Sequence, residues 1–262
     1  MAARLGPPEG VPERRAPARI VARGTPPASD ALPFPMTIAT WNIHGAVGTD
    51  RRFDAGRIAR VLREIDADVV ALQEVPLGGE AATDVLAAVH AICGGDACEG
   101  PTIDTPQRRY GNAVISRWPI VAVRAVDLSF GSREPRGALD ADLRCGTQPL
   151  RVVATHLGLR ASERRHQVRK LLEGFDTDAM PVILMGDINE WFVWGRAMRW
   201  LVSHFQEVHA PATFPSRLPL LALDRIWIRP RHRMLQVRVH ATPLARVASD
   251  HLPLVARIGP AA

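Results

Sequence analysis

Polar side chains with catalytic chemistry recur where apolar runs end. Thr37–Trp41 leads into Asn42 and His44, and Asp68–Leu72 into Gln73 and Glu74. Leu150–Thr155 leads into His156, and Pro181–Met185 into Gly186, Asp187 and Asn189, while Ser249, Asp250 and His251 precede the last apolar run. Short apolar runs of this kind read as buried strands, and α/β folds build their sites at strand ends along one edge. The oxygen donors of Asn42, Glu74, Asp187, Asn189 and Asp250 suit a hard divalent cation such as Mg2+, with Mn2+ as a substitute. His156 and His251 can hold a phosphate oxygen or carry a proton near neutral pH. Asp224 is available to orient a histidine. Together these groups suit water attack on a phosphate ester. Each alone has a plainer explanation: Asn42 can cap the turn at Gly45, and a lone His156 can be structural.

The elements that must position these residues alternate along the chain. Strands are expected at Thr37–Trp41, Asp68–Gln73, Asn112–Ser116, Ile120–Val126, Ala138–Leu143, Leu150–His156, Pro181–Met185, Arg225–Arg229, Gln236–His240 and Leu254–Ile258. Helices are expected at Asp54–Ile65, where Ile58, Val61, Leu62 and Ile65 share a face, and at Glu80–Ile92, Ala161–Phe175 and Gly195–Ser203. Strands mixed with helices, without strict βαβ regularity, suggest two mixed sheets with helices outside them. Residues 1–35 hold eight of the 22 prolines and read as a disordered Pro/Arg-rich tail, or as the product of a start assigned too early, since Met36 precedes the first strand. The catalytic domain is then 36–262.

The ordered series Thr40-Trp41-Asn42-Ile43-His44-Gly45, Leu72-Gln73-Glu74-Val75, Gly111-Asn112, Thr155-His156-Leu157, Gly186-Asp187-Ile188-Asn189, Leu223-Asp224-Arg225 and Ser249-Asp250-His251-Leu252-Pro253 resembles the endonuclease/exonuclease/phosphatase superfamily, DNase I-like proteins among it. The resemblance implies an α/β (α+β) fold, a four-layer sandwich of two mixed β-sheets flanked by helices. It implies Glu74 as the main Mg2+ ligand, with Asn42 beside metal and phosphate and Asp250 as a second carboxylate. Asp187 would align or deprotonate the attacking water, and Asn189 would hold that side chain and the phosphoryl oxygen. His251, oriented by Asp224, would contact the scissile phosphate, and His156 would donate to a phosphate oxygen. Ser132-Arg133-Glu134-Pro135 is similar to a DNase I segment that brings an arginine to the phosphate. Arg133 therefore takes that role here, with Arg136 an equal rival. Tyr110 is either a packing residue or a phosphate contact.

Composition bounds the substrate. The chain has 262 residues, is 47% hydrophobic and carries a net charge of +6. Its apolar runs are far shorter than the roughly 20 residues of a membrane span. Every basic residue except Lys170 is arginine along the whole length, a pattern that reads first as coding bias. Three cysteines provide neither a disulfide framework nor a zinc set, which suggests a cytoplasmic protein with reduced thiols. The small charge excess is weak for a nonspecific DNA binder. Arg160, Arg164, Arg165, Arg169 and Lys170 form either a basic flank or an ordinary solvated helix face. Trp191, Phe192 and Trp194 could stack bases, meet acyl chains or close a helix start. The expected activity is hydrolysis of a phosphodiester by a monomer. The substrate is left open between nucleic acid, phospholipid head group and small phosphoester, and an inactive binding member is the remote alternative.

Overall fold

Apolar strands whose two faces are both covered need a layer on each side, and two stacked sheets with outer helices supply it. The computed structural model describes residues 17–25, 35–79, 83–146, 148–174, 180–192, 194–206, 208–229 and 234–259. One sheet holds β1 (Arg19–Ala22), β2 (Met36–Asn42), β3 (Val69–Pro76), β4 (Asp96–Asp104), β5 (Arg109–Ser116), β11 (Met234–Val239) and β12 (Leu254–Ile258), in the order β1-β4-β5-β3-β2-β12-β11. The other holds β6 (Ile120–Asp127), β7 (Gly137–Cys145), β8 (Gln148–His156), β9 (Val182–Asp187) and β10 (Asp224–Arg229), in the order β10-β9-β8-β7-β6. Both sheets are mixed: β2–β3 and β8–β9 run parallel and the other pairs antiparallel. This is the four-layer DNase I-like sandwich that the motif series implied.

Three apolar layers hold the sandwich together. Between the sheets lie Ile38, Val114, Leu139, Val152, Met185 and Ile226. Outside the first sheet, α1 (Ala55–Ile65), α2 (Val85–Cys93) and α5 (Pro243–Ala248) cover Trp41, Leu72 and Val255. Outside the second, α3 (Ala161–Glu173) and α4 (Arg196–Phe205) cover Val153, Leu184 and Trp227. Helix α1 begins at the expected Asp54, whose side chain accepts from Arg57 N at 2.7 Å, and buries the expected Ile58, Val61, Leu62 and Ile65. Helix α2 starts later than expected, at Val85, because Asp84 caps it by accepting from Ala87 N at 2.9 Å; residues 80–82 lie outside the described ones. Phe175, the expected end of α3, also lies outside them. Among the described residues no helix is long and apolar enough to cross a membrane.

The expectation of an unstructured tail over 1–35 fails for residues 17–25. Strand β1 pairs antiparallel with β4. Arg19 Nε reaches Glu99 at 2.7 Å, Arg23 reaches Asp96 at 2.7 Å, and Gly24 N donates to Asp96 at 2.8 Å. The arginines that suggested disorder are the partners of two buried acids of β4. Residues 1–16 and 26–34 lie outside the described ones.

Candidate active site

The registers of the two sheets bring the chemistry-bearing strand ends together. Asn42 closes β2 opposite Gln73 of β3. His156 closes β8 opposite Asp187 of β9, and Asp187 in turn faces Asp224 of β10. Glu74 reaches the site through a break in regularity: the β3–β5 register shifts between Leu72 and Val75, and Glu74 has φ 57°. A bulge of this kind re-aims a side chain. Gln73 turns the other way and exchanges hydrogen bonds with Thr40 in the interior, so it is structural. Asn189 also has a left-handed backbone, φ 54°, which asparagine tolerates better than most residues. The loop carrying His251 is tied to the end of β2: Ser249 Oγ donates to Asn42 O at 2.7 Å, and Trp41 Nε1 donates to His251 O at 2.9 Å.

Asp187 is the hub. Its Oδ2 accepts from Asn42 Nδ2 at 3.0 Å and lies 3.5 Å from His156 Nε2 and 3.7 Å from His251 Nε2. Its Oδ1 accepts from Asn189 N at 3.0 Å. Asn42 Nδ2 also approaches Glu74 Oε1 at 3.1 Å, so one amide group spans the two carboxylates. The amide oxygen of Asn42 accepts from His44 N at 3.0 Å. Asn42 therefore turns a donor toward the two carboxylates. The second carboxyl oxygen of Glu74 accepts from Tyr110 at 2.8 Å, making Tyr110 a holder of Glu74. Burial and the adjacent Glu74 charge raise the Tyr110 pKa, so it remains a donor.

The two histidines are driven to opposite charge states. His156 is buried, and burial together with the Arg136 charge lowers its pKa well below the usual range. Arg136 Nη1 is 3.0 Å from His156 Nδ1. A guanidinium only donates, so that ring nitrogen must offer its lone pair. The ring proton then belongs on Nε2, facing Asp187, while the Asn189 amide, 3.0 Å from the same Nε2, is satisfied by Leu157 O at 3.0 Å. For His251, burial favours the neutral ring, but Asp224, Asp187 and Asp250 outweigh it and raise the pKa to about 10. His251 Nδ1 meets Asp224 Oδ2 at 2.9 Å, and the same oxygen accepts from Thr213 Oγ1 at 2.5 Å. Asp187, deeply buried and close to Asp224, has its pKa raised, the trend opposed by His251 and Asn42.

Arg133 is exposed on the loop before β7, whereas Arg136 is buried against His156. Of the two rivals, Arg136 is the one brought against a site residue. Asp250 is half-buried beside His251, and its Oδ1 accepts from Ser249 Oγ at 3.3 Å. Of the expected basic flank on α3, Arg164 is buried and committed to Glu190 at 3.1 Å.

These side chains fit a divalent cation. Asp187, Asp224 and His251 cluster closely, but Oδ2 of Asp224 is already bonded to His251 Nδ1. Glu74 is the partly open carboxylate, its side chain 23% exposed. Thiol chemistry has no part: burial raises Cys98 and Cys145 to about 12, and both belong to the inter-sheet core. The family model described as Endonuclease/Exonuclease/phosphatase family matches residues 39–251, which span every one of these positions.

The chain belongs to the endonuclease/exonuclease/phosphatase family. The uncharacterized protein YbhP of Escherichia coli (strain K12) is 33% identical over 251 residues, covering 86% of this chain and 96% of that one. An endonuclease/exonuclease/phosphatase of Beutenbergia cavernae DSM 12333 superposes with a TM-score of 0.72 at 26% identity, covering 86% of this chain and 72% of that chain. The mannosyl-6-phosphatase Bt3783 of Bacteroides thetaiotaomicron VPI-5482 gives a TM-score of 0.65 at 17% identity, covering 84% and 98%. Members of the endonuclease/exonuclease/phosphatase family are phosphoester hydrolases and generally use a divalent metal ion.

Proposed function

We propose that this protein hydrolyses a phosphodiester with the help of Mg2+, Mn2+ being able to substitute. The observation that carries the reading is Asp187: a buried carboxylate aimed between a neutral histidine and a cationic one. Burial makes Asp187 more basic than a surface carboxylate, so it can accept the proton of an aligned water. His251, cationic and oriented by Asp224, contacts the scissile phosphate. His156 donates from Nε2 to another phosphate oxygen and offsets charge as it builds. Asn42 keeps the carboxylates of Glu74 and Asp187 apart, and Asn189 anchors the turn beneath Asp187. Glu74 and Asp250 would hold the ion, which supplies Lewis-acid stabilisation of the phosphoryl oxygens.

Bis(4-nitrophenyl) phosphate tests the reading against 4-nitrophenyl phosphate. Turnover of the diester should exceed that of the monoester, stop in EDTA and return with Mg2+ or Mn2+. Glu74→Ala and Asp187→Asn should each lower it by at least about 10²-fold. Full activity in EDTA, or in both variants, would refute the proposal.

A further inference from the structure

A second charged cavity lies on the far side of β10 from the active site. Alternation along a strand sends neighbours to opposite faces. Ile226 and Ile228 enter the layer between the sheets, while Trp227 enters the layer under α3 and α4. Arg225 therefore turns away from its neighbour Asp224 and lines a groove of about 390 Å³ with Arg199, His209, Trp194, Trp227 and Met198. Arg225 is only 7% exposed. Its guanidinium donates to two backbone carbonyls, those of Ala222 and of Asp224, the latter at 3.2 Å. Among the described residues no carboxylate pairs with it, and none lines the groove. Burial lowers the pKa of this arginine, and the charges of Asp224 and Glu190 oppose that shift without pairing directly with the guanidinium.

The other walls say what kind of anion would fit. Trp227 and Met198 form a buried apolar floor, Trp194 stands at the mouth with 81% of its surface exposed, and Arg199 and His209 add two more cationic or donor groups at the open side. Three donors lining one groove favour a phosphate over a singly charged head, and two indoles favour a flat apolar body. We infer that this groove is a binding site, separate from the catalytic one, for an organic phosphate carrying an aromatic body. The site does not depend on the catalytic reading.

Calorimetric titration of the full chain in EDTA, with 1-naphthyl phosphate as probe, tests the inference. Binding is expected to weaken at least tenfold in Arg225→Gln and in the Arg199→Gln/His209→Gln double variant. It is expected to persist in Glu74→Ala. The double variant alters exposed side chains, so it decides the matter if Arg225→Gln fails to fold, and it should hydrolyse the diester at the wild-type rate. Equal affinity for neutral 1-naphthol would overturn the anion requirement, and equal affinity for inorganic phosphate would overturn the aromatic one. Binding that survives both groove variants, or that vanishes in Glu74→Ala, would overturn the site.

Discussion

Nδ1 of His251 lies 2.9 Å from Oδ2 of Asp224, and this pair sets the charge that the ring presents to a substrate. The Asp224 charge and hydrogen bond lead the contributions, with Asp187 and Asp250 behind them, that outweigh the desolvation of the ring. Asp224→Ala should therefore bring the His251 pKa down from about 10, because burial then acts with less opposition. The imidazole resonances of metal-free protein, followed by NMR against pH, give the answer. A pKa in the variant that stays at about 10 would show that Asp224 is not the cause. The rate at pH 8 should fall by about 10²-fold, the scale of one electrostatic contact.

The same shift has a stability consequence with a definite sign. The folded His251 pKa lies above its unfolded value near 6.5, so its contribution is fully present below pH 6.5 and is lost as pH rises toward 10. Metal-free protein should melt progressively lower over that window, and His251→Gln should remove that part of the slope. His156 acts in the opposite sense: its folded pKa is depressed, so stability is lost as pH falls through 6.5. Differential scanning calorimetry from pH 5 to pH 10 on the wild type and the His251 variant separates the two.

Arg136, and not Arg133, should matter for hydrolysis. Arg136 is buried with Nη1 on His156 Nδ1, while Arg133 is exposed. Arg136→Met removes the positive charge that helps keep His156 neutral, so the His156 pKa should rise and kcat should fall at least tenfold. Arg133→Met should leave kcat within about twofold of wild type, the usual outcome for a surface change. NMR titration of His156 reads the first effect, and a large kcat loss in the Arg133 variant would reverse the assignment.

Why one arginine was ambiguous in sequence while Asp187 was not has a physical reason. Asp187 ends a run of four apolar residues, Val182–Met185, which can only be a buried strand, so its position at a strand end is legible. Arg133 and Arg136 share a loop whose course depends on where β7 begins, and local sequence does not determine that. Strand β4 was invisible for another reason. Its Asp96, Glu99, Gly100 and Pro101 interrupt any apolar alternation, yet Asp96 and Glu99 are buried against Arg23, Arg19 and Arg109, and a register shift accommodates the segment after Pro101. Those partners are remote in sequence, so periodicity could not reveal the strand. Tyr110 likewise gained its role only when a bulge in β3 turned Glu74 toward it.

Arg164 and Glu190 form an ion pair 3.1 Å apart with both side chains 3% exposed. Arg164 also donates to the carbonyls of Gly158 and Leu159 and lies 5.5 Å from the Trp191 ring, so it joins the loops that follow His156 and Asn189. Removing one partner leaves the other buried and unpaired, which costs about 3–5 kcal/mol. Arg164→Met and Glu190→Leu should each unfold at clearly lower urea, and the double variant should recover much of the loss. Equal, additive losses would mean that the pair is not the source of the cost.

Strand β1 should be dispensable for catalysis and needed for solubility. It lies at the outer edge of its sheet, beyond β4 and β5, whereas the site gathers at the ends of β2, β3, β8 and β9. A chain starting at Met36 keeps every catalytic side chain, so kcat should stay within about twofold of wild type. It also leaves the edge of β4 unpaired and removes the arginines from the buried Glu99 and Asp96, although Arg109 still reaches Glu99 at 2.7 Å. An unpaired strand edge is a template for self-association. The shortened chain should therefore melt lower and show a concentration-dependent mass by light scattering, and a monomer with unchanged melting would show that β1 contributes nothing to the fold.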